Sequence, residues 1–286
     1  NLLFPLQEVE TIRQRLDTVE ALYLAPRLRE DLRQLLAKVY DLERLNGRVV
    51  LGTANGRDLT ALKCSLAQLP QLKEKMLEEG GTLLPALGAS LDELTELHAL
   101  LEAGIREDAP VSVREGNLIK PGYHAELDEL VSLLRDGKEL ILTLEARERA
   151  RTGINNLKIG FNKIFGYYIE ISRGQLANVP EDFIRKQTLV NAERFITPEL
   201  KEFEEKVTGA QDKRLELEYR LFGAIRASVA EASSRILHTA AALAQIDFFC
   251  CLAEVAQKYR YTKPVINAGE AIIITEGRHP VIERAL

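Results

Sequence analysis

Between Leu157 and Thr197 the chain carries Lys158, Lys163, Arg173, Arg185, Lys186 and Arg194, with Asn191 among them. Cations and amide donors of this kind can hold phosphate oxygens, and such contact needs no strict residue order. Glu170, Glu181, Asp182 and Glu193 oppose them. The segment keeps a surplus of two positive charges in a chain whose formal net charge is −5. On charge alone so small a surplus reads as a solvated surface. Asn191 is the best single donor; its structural alternative is to turn a strand or cap a loop. Arg194 can reach a phosphate or pair with Glu193 or another acid. Lys163 sits where a hairpin turn projects side chains outward, with plain solvation as its alternative. Tyr167 and Tyr168 have the rings to stack on a sugar or base, but packing a small sheet is the simpler reading. Phe161 and Phe165 read as core.

Other chemistries lack their residues. No G-x-x-x-x-G-K-[ST] phosphate loop occurs, since Gly137-Lys138 is followed by Glu139 and has no glycine at the required distance. His98, His124, His238 and His279 are far apart, and none stands at metal-ligand spacing from a Cys or another His. Cys64, Cys250 and Cys251 form no C-x-x-C, argue against a disulfide framework and read as small buried apolar residues of a reducing compartment. No nucleophile elbow appears. The expectation is therefore no catalytic residue, no metal and no cofactor held by this chain. No run of about 18 uncharged apolar residues suggests a membrane span. The start at Asn1, with Met76 the single methionine, reads as a piece of a longer chain.

These residues need elements to position them. The first ~105 residues read as short helices: Leu6–Leu24, Arg27–Leu45 stopping at Asn46-Gly47, one from about Gly56 towards Gly80 broken or kinked at Pro70, and Ser90–Ala103 with Ser90 and Glu93 as a capping box. Pro110–Pro121 reads as a small turn or hairpin. A long helix from about Tyr123 to Arg151 has an apolar seam of 3.5-residue period and ends at Thr152-Gly153. Two or three strands follow, within 157–171 and 188–197, around a loop at 173–186. Thr197-Pro198 then opens a second long helix, read as continuous for about 90 Å at 1.5 Å per residue, with Gly209 and Gly223 marking bends. Strands interrupting an antiparallel helix pair must sit at its end. That geometry suits touching a large partner better than enclosing a catalytic pocket. Tyr261–Ile274 reads as the start of another β-containing domain.

Several segments resemble the MutS family of DNA mismatch-recognition ATPases. They are Leu157–Asn162, Phe165–Ile169, Gln187–Phe195 and Pro198–Glu202, which look like that family's clamp. Asp41–Arg44, Gly56–Leu59, Gly122–Asp128 and Arg147–Gly153 are similar to its core and lever. Thr275–Glu283 is similar to the opening of its ATPase domain. The resemblance implies a mainly α fold: a helical core and long antiparallel levers, with a small β-rich clamp inserted at the tip. It implies core and lever over 1–153, clamp over 154–197, the returning lever over 198–262 and the start of the ATPase domain over 263–286. It implies backbone contact with double-stranded, mismatch-containing DNA, without sequence specificity, through Lys163, Arg173, Arg185, Lys186, Asn191 and Arg194. Val190 stands where the family often has lysine, which shifts the burden to Arg185 and Lys186. For the longer parent the resemblance implies ATP and Mg, a homodimer, mismatch-repair partner proteins and a bacterial cytoplasmic, nucleoid-associated location. The alternative is a mechanical or interaction scaffold that relays ATPase state without touching DNA.

Overall fold

A computed structural model describes residues 5–78, 83–162 and 166–285. The fold is mainly helical with one small antiparallel sheet, and it divides into two compact units. The first comprises residues 1–39, 67–93 and 237–286; the second, 40–66 and 94–236.

The first unit holds α1 (Val9–Leu24), α2 (Pro26–Leu36), α5 (Leu69–Leu77), α6 (Leu84–Ser90) and most of α10 (Ser233–Tyr259). Pro26 and Pro70 lie in the first turns of α2 and α5, where a missing N–H costs nothing. The break expected near Pro70 is there: residues 67–68 leave helical geometry, and Pro70 lies in the first turn of the helix that follows. Ser90 opens no helix but ends α6, where its hydroxyl donates to the Leu87 carbonyl; Glu93 pairs with Lys73. Leu22, Leu32, Leu69, Leu72, Met76, Ile246 and Phe249 fill this core. α10 is long and apolar enough by length and composition to cross a membrane, yet half of its most apolar stretch is buried in the fold. Its buried Ile246, Phe249, Cys250 and Ala253 recur at helical spacing, as a core face requires. Burial pushes the Cys250 thiol up to about 12. Cys64 and Cys251 are exposed, against expectation. Residues 260–281 form no strand, and Ile272, Ile273 and Ile274 face solvent. A short α11 (Ile282–Ala285) follows.

The second unit begins with α3 (Leu42–Val50), capped by Asp41, whose carboxylate accepts from the Arg44 amide. The stop expected at Asn46-Gly47 does not occur. Asn46 is buried and donates to the Ser233 hydroxyl, so the helix runs on to Val50. α4 (Gly56–Leu66) and α7 (Thr95–Gly104) complete this helical layer. Gly116 and Asn117 turn the 110–121 segment with positive φ, and Glu218 accepts hydrogen bonds from the Leu118 and Ile119 amides.

α8 (Ala125–Thr152) and α9 (Pro198–Glu231) pack against each other. Gly137 faces Phe203 and Val207 while Arg147 pairs with Glu199, so the two run antiparallel. Gly153, at φ 71°, ends α8. The Thr197 hydroxyl accepts from the Leu200 amide and opens α9. The single 90 Å helix is in fact two, since Ala232 leaves helical geometry between α9 and α10. Gly209 and Gly223 lie within α9 and do not end it.

Between the paired helices the chain folds β1 (Lys158–Asn162), β2 (Gly166–Ser172), β3 (Ile184–Thr188) and β4 (Ala192–Ile196), all antiparallel in the order β1-β2-β4-β3. Ile169, Ile171, Phe183 and Phe195 pack on Leu144 of α8 and Leu200 of α9, with Ile154 and Leu157 beside them. Strand alternation puts Tyr168, Glu170, Ala192 and Arg194 on the opposite, polar face.

Candidate nucleic-acid interface

Two carboxylates seat the sheet on the helix pair. Glu145 of α8 accepts from the Ile159 amide at 2.8 Å, and Glu204 of α9 accepts from the Tyr167 amide at 2.9 Å. Carboxylate acceptors make such bonds stronger than neutral ones. Gly166 has φ 76°, and a Cβ there would collide with the Glu204 carboxylate. Arg149 donates to the Leu157 carbonyl. Arg151 spans buried Glu148 and exposed Asp182, and its hydrogen bond holds the Asp182 carboxyl below its ordinary range. Burial and the Glu204 charge raise the Tyr167 phenol.

The sequence-expected residues fall in different settings on this frame. Lys163 and Phe165 lie outside the described residues. Asn191 and Val190 form the exposed turn from β3 to β4, closed by the Leu189 amide donating to the Ala192 carbonyl. Arg173 braces that turn: its backbone N–H donates to the Asn191 carbonyl and its side chain to the Leu189 carbonyl. Arg185 is largely exposed and reaches Glu193 only at 3.4 Å. Lys186 is the extra residue of a bulge between Arg185 and Gln187, on an edge strand. It is exposed and has no ion-pair or hydrogen-bond partner among the described residues.

Arg194 differs from these. Its Nε donates to Glu170 at 2.9 Å, its Nη1 donates to Gln187 at 3.0 Å, and its guanidinium lies 4.1 Å from the Tyr168 ring centre. It ties β2, β4 and β3 together and is mostly covered. Tyr168 in turn covers Gly160 across the strand pair, where a Cβ would stand 2.8 Å from the ring. Tyr167 packs edge-on against Phe203. Phe161, read as core, is more than half exposed and leans on Tyr167. Lys158, counted among the segment's cations but not among the six expected contacts, is exposed on β1, its side chain without a partner among the described residues. The alternation Leu157-Lys158-Ile159 was the available signal, because it turns Lys158 away from a buried Leu157.

The fold and these side chains define a helical module presenting a small sheet whose free edge carries Arg185, held only at 3.4 Å by Glu193, and Lys186, whose side chain has no partner among the described residues. Comparison with known families adds a match over residues 1–253 to the model described as MutS domain III. The chain belongs to the MutS domain III family. It is 46% identical over 282 residues, 99% of its length, to the DNA mismatch repair protein MutS of Acetivibrio thermocellus. Identity is 50% over 275 residues, 96% of the chain, with the protein of that name from Desulfitobacterium hafniense. It is 48% over 285 residues, the full chain, with that from Myxococcus xanthus. The chain spans 32% of the length of each of these relatives.

Proposed function

We propose that this chain is the lever and clamp part of a mismatch-repair protein and that its sheet holds the sugar–phosphate backbone of duplex DNA without reading bases. One observation carries the reading: on the free edge strand β3, Arg185 and Lys186 are exposed and at most loosely engaged, beside the exposed Asn191 turn. Exposed cations on a free edge suit phosphate oxygens, which need charge and donors in no fixed order. Lys158 and Arg173 add charge, while Arg194 acts by holding the strands in place. Residues 1–153, 154–197, 198–262 and 263–286 serve on this reading as core and lever, clamp, returning lever and the start of an ATPase domain. The longer protein would use ATP and Mg, act as a homodimer with other mismatch-repair proteins and work in the bacterial cytoplasm. This chain contributes no catalytic group of its own.

The test is fluorescence anisotropy of a labelled duplex across a salt series. Binding should be weak, indifferent to sequence and steeply salt-dependent. R185Q/K186Q should flatten the log–log salt slope by about 1–2 units. Absence of binding at low salt, or binding that ignores salt, would sink the proposal. The amide anchors at Glu145 and Glu204 favour a second reading, a rigid arm that transmits motion without touching DNA. It predicts that R185Q/K186Q leaves the parent's DNA affinity unchanged.

A further inference from the structure

Away from the sheet, α9 carries Lys206, Lys213 and Arg220. Seven residues make nearly two helical turns, so the three lie on one face. At 1.5 Å per residue they stand about 10 Å apart and span about 21 Å. All three are exposed, and among the described residues none of their side chains has an ion-pair or hydrogen-bond partner. Most other cations in this unit are engaged: Lys63 and Lys120 with Glu102, Arg151 with Asp182, Arg235 with Glu96. Glu202, Glu205, Asp212 and Glu216 lie within a turn of the row's members, yet pair with none of them. Gly209 and Gly223 stand in open space beside the row, and Ala224 and Ala227 continue its side. Gly209 keeps the surface low between Lys206 and Lys213, and Gly223, Ala224 and Ala227 keep it low beyond Arg220. The apolar side of α9, with Phe203, Ala210 and Leu217, is buried.

We infer that this row is a second polyanion track, along which α9 meets phosphates of duplex DNA; the inference rests on the DNA-binding reading above. Duplex DNA offers a phosphate every ~3.4 Å along each strand, so a straight 21 Å row of cations meets several without tailored pockets. α9 places no large apolar side chain in the row, whereas a protein partner's interface would be anchored by one.

The salt series tests it on the 286-residue chain. K206Q/K213Q/R220Q should flatten the log–log slope by about 2–3 units, at about 0.9 for each phosphate no longer neutralised. R27Q/K38Q/R57Q removes the same charge from exposed residues elsewhere and should leave the slope within about 0.5. K206R/K213R keeps the charge and should keep the slope. If the triple variant loses far-ultraviolet helical signal, the three single variants are read instead, each flattening the slope by about 0.9. An unchanged slope in the α9 variants, or an equal change in the R27Q/K38Q/R57Q control, overturns the track. It does so without touching the sheet proposal, which R185Q/K186Q reads separately. No binding by the unmodified chain overturns both. Loss of affinity for polyglutamate with duplex affinity intact would assign the row to an acidic protein and overturn the track.

Discussion

Arg194 shows how a residue's type and its job can part company. From the sequence it is one of six cations in a segment able to hold phosphates. In the fold its guanidinium is occupied by Glu170, Gln187 and the Tyr168 ring. Its partners lie 24 and 7 residues away in the chain and meet it only because β4 lies between β2 and β3. Nothing in the sequence gives that register, least of all the bulge at Lys186. Lys186 and Arg194 should therefore respond in opposite ways. R194Q should lower the stability of the chain by about 1–3 kcal/mol, as losing a charged hydrogen-bonding partner does, and shift the thermal midpoint down. K186Q should leave the midpoint within about 1 °C, because surface changes are near neutral, and flatten the salt slope of duplex binding by about 0.9. An R194Q protein that melts normally but binds with a flatter slope would return Arg194 to direct phosphate contact.

Among the elements, boundaries written in local chemistry were legible. Thr197-Pro198 opens α9 and Gly153 closes α8 because a hydroxyl cap and a left-handed glycine act within one turn of where they stand. Tertiary partners moved the others. Asn46 is held in a helix by Ser233, 187 residues on, and β3, with the polar sequence Ile-Arg-Lys-Gln-Thr, is a strand only because β4 pairs with it. Gly166 joins the two kinds of cause. Its left-handed φ calls for glycine, and the space beside it is taken by Glu204, which anchors the start of β2. Alanine there would add about 1–2 kcal/mol of backbone strain and push away an acceptor whose hydrogen bond is worth about 1.5–3 kcal/mol. G166A should thus cost about 2.5–5 kcal/mol. Amides of β1 and β2 should exchange hydrogen faster while those of α3 and α4 keep their protection. Uniform loss of protection across the unit would show that Glu204 does not act locally.

At the scale of the whole chain, the placing of a sheet between two long helices was readable from order alone, but its dependence on them was not. The 154–197 boundary treats the sheet as a module, and composition gives no reason to doubt it. The packing does. Leu144 and Leu200 belong to the same buried cluster as Ile169, Ile171 and Phe195, with Ile141 against it. Two of the strand amides find their acceptors on Glu145 and Glu204, outside those limits. A four-stranded sheet of that size has little apolar area to set against the entropy of ordering its backbone. Removing the helix ends exposes one side of its core and leaves both amides to water. A peptide of residues 154–197 should accordingly be unfolded in water at about 25 °C, with collapsed amide proton dispersion and no cooperative melt. The same sheet within residues 123–232, which keep α8 and α9 entire, should show dispersed strand resonances and one transition. A folded 154–197 peptide would mean that the β-strands alone supply the cohesion assigned here to Leu144, Leu200 and the two carboxylates.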